Sequence, residues 1–151
     1  MHYLIGATIG WVAAMLLLLV YPTQSAETSK PLNPGAEPLV LMVLQEAANE
    51  PFAGMVAVAA VALDRVKDTR WPSTLRRVLY QPAQFEGLSK PTGNFNAGQI
   101  RRARTAATVA RKGARPCGKV FWYHNTSVKP WWRRNLKVRC RIGLHIFYED
   151  K

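Results

Sequence analysis

From Ala53 the chain runs Ala-Gly-Met-Val-Ala-Val-Ala-Ala-Val-Ala-Leu before its first charges at Asp64 and Arg65. A helix that is apolar on nearly every face has no side to give to water, so neighbours must cover it on most sides. Ala53 to Lys67 is therefore expected to be the central helix, with the rest of the domain wrapped around it. Upstream, Leu39, Val40, Val43, Leu44 and Ala47 fall on one side of a first helix from Leu39 to about Ala48, and Pro51 disfavours helical geometry at Glu50 and stops it. Downstream, Ser73 is the expected N-cap of a short helix from Thr74 to Tyr80, and Gln81 to Phe95 reads as loop. Asn96 can cap a further helix, Ala97 to Lys112, with Ile100, Ala103, Ala107 and Ala110 at helical spacing and Gly113 at its end. The pattern then changes. Val120-Phe121-Trp122-Tyr123 and Ile142 to Tyr148 are β-branched and aromatic, which predicts a small strand pair. The fold class is thus mainly α with a minor β element, in a single domain of ordinary size for a chain of 151 residues.

Two segments stand outside that domain. Tyr3 to Tyr21 has no charged residue and is about long enough to cross a bilayer core. With the small residues Ser25 and Ala26 behind it, residues 1–26 read as a signal peptide or a membrane anchor, which places the following domain outside the cytoplasm, in the periplasm or cell envelope. Residues 27–38 continue a Pro-rich linker, leaving 39–151 as the folded unit.

The net charge of +12 is concentrated in the C-terminal half, where no Asp or Glu occurs between Glu86 and Glu149. Such a surface gathers anionic partners. Export makes anionic membrane or wall polymer the expected kind and argues against nucleic acid. Cys117 and Cys140 are the only cysteines, and in an oxidising compartment a disulfide is the leading expectation. Grouping Cys117, His124, Cys140 and His145 as a zinc site is the alternative, although the spacings lack a tight C-x-x-C turn. No metal or other cofactor is expected on that reading.

Among the chemistry-bearing residues the carboxylates are few. Of nine, Glu27 and Glu37 lie in the linker, Glu149 and Asp150 at the end, and Asp68 at a helix exit, leaving Glu46, Glu50, Asp64 and Glu86. Glu46 falls in the last turn of an apolar helix, where partial burial and the negative end of the helix dipole both favour the protonated form. A carboxyl kept protonated near neutral pH is what a glycosidic leaving group needs, because an alkoxide leaves poorly.

The segment Glu46-Ala47-Ala48-Asn49-Glu50-Pro51-Phe52-Ala53-Gly54, followed by the Ala/Val-rich run to Asp64-Arg65-Val66, resembles the SleB-type cell-wall hydrolases of spore cortex lysis and phage lysis. In that family the pattern is Glu-Ala-Arg-Gly-Glu-Pro, a Gly, and a helix ending Asn-Arg-Val. The likeness continues in register through Trp71-Pro72-Ser73-Thr74-Leu75, Val78-Leu79-Tyr80-Gln81-Pro82-Ala83-Gln84-Phe85 and Gly143-Leu144-His145-Ile146-Phe147-Tyr148. Four segments in order, from about residue 40 to 148, are more specific than any one of them.

The resemblance implies a lysozyme-like, lytic transglycosylase-like domain. Its expected partner is the peptidoglycan glycan strand, cut between N-acetylmuramic acid and N-acetylglucosamine. It implies Glu46 as the catalytic acid and Glu50 as a supporting residue that orients or tunes the site. The expected product is a 1,6-anhydromuramic end; a second carboxylate at Glu86 would instead allow hydrolysis. Tyr123, Asn125, Trp131 and Trp132 lie where the family has an aromatic-Asn segment suited to sugar faces and acetamido groups, and His145 matches a family position beside a strand. Departures are Ala48 and Asn49 for Arg and Gly, Asp64 for Asn, and Glu86 where a small hydroxyl residue is common.

Overall fold

The computed structural model describes residues 37–89 and 93–151, apart from the side chains of Glu86 and Ser89. The apolar run 3–21 and most of the linker lie outside the described residues. Among those described, no helix is long and apolar enough to cross a membrane. The described residues form five helices ahead of a small sheet: α1 (Pro38–Ala47), α2 (Phe52–Val66), α3 (Leu75–Leu79), α4 (Glu86–Ser89) and α5 (Ala97–Arg111). Helix α2 is the central one, with every residue from Gly54 to Ala62 buried. Ala103, Ala106, Ala107 and Ala110 give α5 a flat face that packs against α2 and α1. Asn96 caps α5 through a full capping box with Gln99.

Two local expectations need correcting. The cap of α3 is Thr74, not Ser73: its hydroxyl accepts the Arg77 N–H. The stretch from Gln81 to Phe95 is not all loop, because α4 forms one turn within it. A Cβ at Gly87 would sit 2.8 Å from Gln45 Cβ, so only a glycine lets α4 approach α1 this closely. That approach is tertiary and leaves no periodic trace in sequence.

The expected strand pair is a three-stranded antiparallel sheet ordered β1-β3-β2, with β1 (Trp122–Asn125), β2 (Leu136–Ile142) and β3 (His145–Asp150). The strand missed was β2. Its Leu-Lys-Val-Arg-Cys-Arg-Ile alternates strictly, which is the period of a strand, but the three cations draw the eye to charge. A one-turn 3-10 helix (Trp131–Asn135) leads into it. Cys117 and Cys140 are joined as a disulfide, with Cα atoms 5.6 Å apart, so the exit of α5 is tied to β2. The zinc grouping is therefore not assembled: both sulfurs are bonded to each other.

Candidate active site

Glu46 stands in the last turn of α1 and lines a cleft of about 810 Å³ between the helical half and the sheet. The opposite wall is β1, whose Tyr123 donates its hydroxyl to Glu46 Oε2 at 3.2 Å. Burial is the main reason the Tyr123 phenol is held well above its ordinary pKa, and the neighbouring Glu46 charge adds to it. Tyr123 thus stays a donor at any physiological pH. Its ring is fixed edge-on by His145 at 5.2 Å and tilted against Phe147 at 5.7 Å.

His145, Asn125, Trp131 and Trp132 also line the cleft, so the structure brings together most of the residues picked out by sequence. His145 is buried, and desolvation pulls its pKa below the ordinary imidazole value despite Glu50, which acts in the opposite sense. Its Nδ1 lies 3.7 Å from Glu50 Oε2, beyond hydrogen-bond distance. A neutral ring packed against Tyr123 holds that tyrosine in place. Glu86 opens α4, but its side chain is outside the described part of the structure.

Glu50 is not among the cleft residues. It is buried just past α1, where Oε2 accepts the Leu144 N–H at 2.9 Å, and its own carbonyl accepts Arg102 Nη2 at 3.0 Å. The carboxylate latches the β2–β3 turn onto the α1–α2 junction, behind Glu46 and His145. Gly143 makes the latch fit: its φ is +57°, and a Cβ there would run into Glu50 Oε2 and come within 2.7 Å of Pro51 Cδ. Gly143→Ala is expected to cost about 2–3 kcal/mol through left-handed strain and displacement of the latch. A urea midpoint equal to wild type would show that the turn relaxes freely.

Of the cleft residues to which the sequence assigns no part in the site, three are held by polar side-chain contacts. Arg65 is buried at the end of α2, donating from Nε to Phe121 O at 2.9 Å and from Nη1 to Gln84 Oε1 at 2.9 Å. Its guanidinium lies 4.1 Å from the Trp71 ring centre, and burial lowers its pKa to about 10, so it is still a cation at neutral pH. It pins the loop after α3 to the entry of β1. His124 is the second: Nδ1 donates to Asn125 O, since a carbonyl can only accept, and Nε2 meets the Tyr148 hydroxyl, both at 2.7 Å. Gln84 is the third. The signal for Arg65 was present, as a charge closing an otherwise apolar helix has to find partners.

Asp64, next to Arg65 on α2, is engaged elsewhere. Arg115 binds it through Nε at 2.9 and 2.8 Å and through Nη2 at 2.7 Å. Among the described residues lining the cleft, Glu46 is then the only carboxylate.

A helical core, a small antiparallel sheet and one acid facing an aromatic cleft define a lysozyme-like α+β domain. The chain belongs to the cell wall hydrolase family, whose model matches residues 49–148, a span opening just past Glu46. The spore cortex-lytic enzyme of Bacillus cereus is 33% identical over 133 residues, covering 83% of this chain and 49% of that one. Among solved structures, the catalytic domain of the germination-specific lytic transglycosylase SleB from Bacillus anthracis aligns with a TM-score of 0.63 at 30% identity, over 78% of this chain and 99% of that domain. The Bacillus cereus SleB catalytic domain gives 0.63 at 29% identity, over 79% and 95%. The chain spans about half the length, or less, of the curated relatives it matches.

Proposed function

We propose that this protein cleaves peptidoglycan glycan strands between N-acetylmuramic acid and N-acetylglucosamine as a lytic transglycosylase, with Glu46 as the single acid and base. The observation that carries the reading is Glu46 alone among the carboxylates described along a cleft of aromatic rings and amides. One carboxylate suffices for cleavage of this bond when no water is needed. Protonated Glu46 gives its proton to the bridging oxygen, and the C1–O bond breaks as positive charge develops on the muramyl ring. The carboxylate left behind takes the proton of the muramyl 6-hydroxyl, O6 bonds to C1, and a 1,6-anhydro ring closes. Glu46 ends protonated, ready for the next cut. Tyr123, a permanent donor on Oε2, holds the carboxyl group in one orientation through both transfers. Trp131 and Trp132 offer ring faces to the sugars and Asn125 an amide to an acetamido group.

A wall substrate calls for a domain outside the cytoplasm, and residues 1–26 would export or anchor it. The basic half would add a salt-screened attraction to anionic wall or membrane material. Digestion of purified sacculi tests the reaction. The expected result is release of soluble fragments with no new reducing ends, because anhydro ends do not reduce; one new reducing end per cut would mean hydrolysis.

A further inference from the structure

The turn that brings Val128 and Trp131 to the cleft also carries exposed cations. Val128 and Trp131 both line the cleft, and Trp131 is 78% exposed. A large indole left in water at the mouth of a cleft is a platform for a ring that arrives with the ligand. Lys129 and Arg134 are exposed on either side of it in sequence, with Arg133 half-buried between Trp132 and Arg134. The turn bearing them is rigidly seated, since Trp132 packs against Trp122, His124 and Tyr148 with ring centres 5.7, 5.7 and 5.8 Å apart. Several cations of this half are engaged elsewhere: Arg115 with Asp64, Lys137 and Arg139 with Glu149, Arg111 with Glu37. Among the described residues no carboxylate forms an ion pair with Lys129, Arg133 or Arg134.

Resting on the glycan-cleaving reading above, we propose that this rim binds the carboxylates of the stem peptide on the muramyl residue, so that the preferred substrate is peptide-bearing rather than stripped glycan. With a sugar face on Trp131, the lactyl ether leaves the ring sideways, and the peptide it carries passes the flanking cations. A neutral glycan has nothing for them to meet.

The test is binding of the full chain carrying Glu46→Gln to two ligands: glycan strands with stem peptides, and the same strands after an amidase has removed the peptides. Peptide-bearing strands are expected to bind roughly fivefold tighter at low salt, the advantage shrinking as salt rises. Adding Lys129→Ala and Arg134→Ala should bring the ratio to about one, with an unchanged thermal midpoint. Equal binding of the two strands, or an advantage that survives the double substitution, overturns the proposal. So does displacement of peptide-bearing strands from the rim by a polyphosphate wall polymer that binds more tightly and loses affinity in the double variant. Cleavage by the wild-type chain is scored separately. Activity without a binding ratio removes the rim assignment alone, and a binding ratio without activity removes the glycan-cleaving reading alone.

Discussion

Glu46→Gln should lose at least about 10²-fold in glycan cleavage, roughly 2.7 kcal/mol of transition-state stabilisation, while keeping its fold and its affinity for wall fragments. The substitution preserves size and leaves an acceptor for the Tyr123 hydroxyl at the place where Oε2 stands. What it removes is the proton that has to reach the leaving oxygen and the base that has to receive one back. Both halves of the reaction are therefore lost together. Glu50→Gln should cost less in turnover, since that side chain faces Leu144 and the hairpin turn rather than the cleft. Near-normal turnover by Glu46→Gln combined with loss in Glu86→Gln would assign the acid to the wrong helix.

The second large effect belongs to stability. Asp64→Ala should destabilise the domain by about 3–5 kcal/mol, because it leaves the Arg115 guanidinium half-enclosed with no counter-charge. The pair is little exposed, at 17% and 7% for the two side chains, and Arg115 also ties down the end of α5 through Ala110 O and the turn after it through Ala114 O, at 2.8 Å each. A loss of that size should lower the melting temperature by roughly 12 °C or more in a domain of this length. Replacing both partners with apolar residues of similar size should recover much of it, as the stranded charge goes too. Equal melting temperatures for wild type and Asp64→Ala would mean that Arg115 finds water or another acceptor at no cost. Asp64 departs from the Asn of the resembling family, and its compensation is Arg115, 51 residues away.

The parts of the fold legible in sequence are those written in local chemistry. Helix α2 declares itself by being apolar on all sides, α1 by its stripe and by Pro51, and α5 by Asn96 and its alanines. What escaped depends on distant partners. Helix α4 exists because Gly87 lets it close on Gln45, and Glu50 serves a turn 94 residues away. The strand β2 was in plain view as an alternating run, and its cations concealed it. For the site, the motif around Glu46 pointed to the helix end that faces the cleft, and the aromatic-Asn segment pointed to the wall across from it. The supporting residues behind that wall did not show. His124 has no pattern of its own, and Arg65 shows only as a charge closing an apolar helix; the partners of both are brought to them by folding.

The proposed reaction uses no water. Mass spectrometry of fragments released from purified peptidoglycan in ¹⁸O-labelled water reads this directly. The predicted result is muramyl ends one water lighter than hydrolysed ones and free of the label. Ends carrying ¹⁸O at full mass would contradict it.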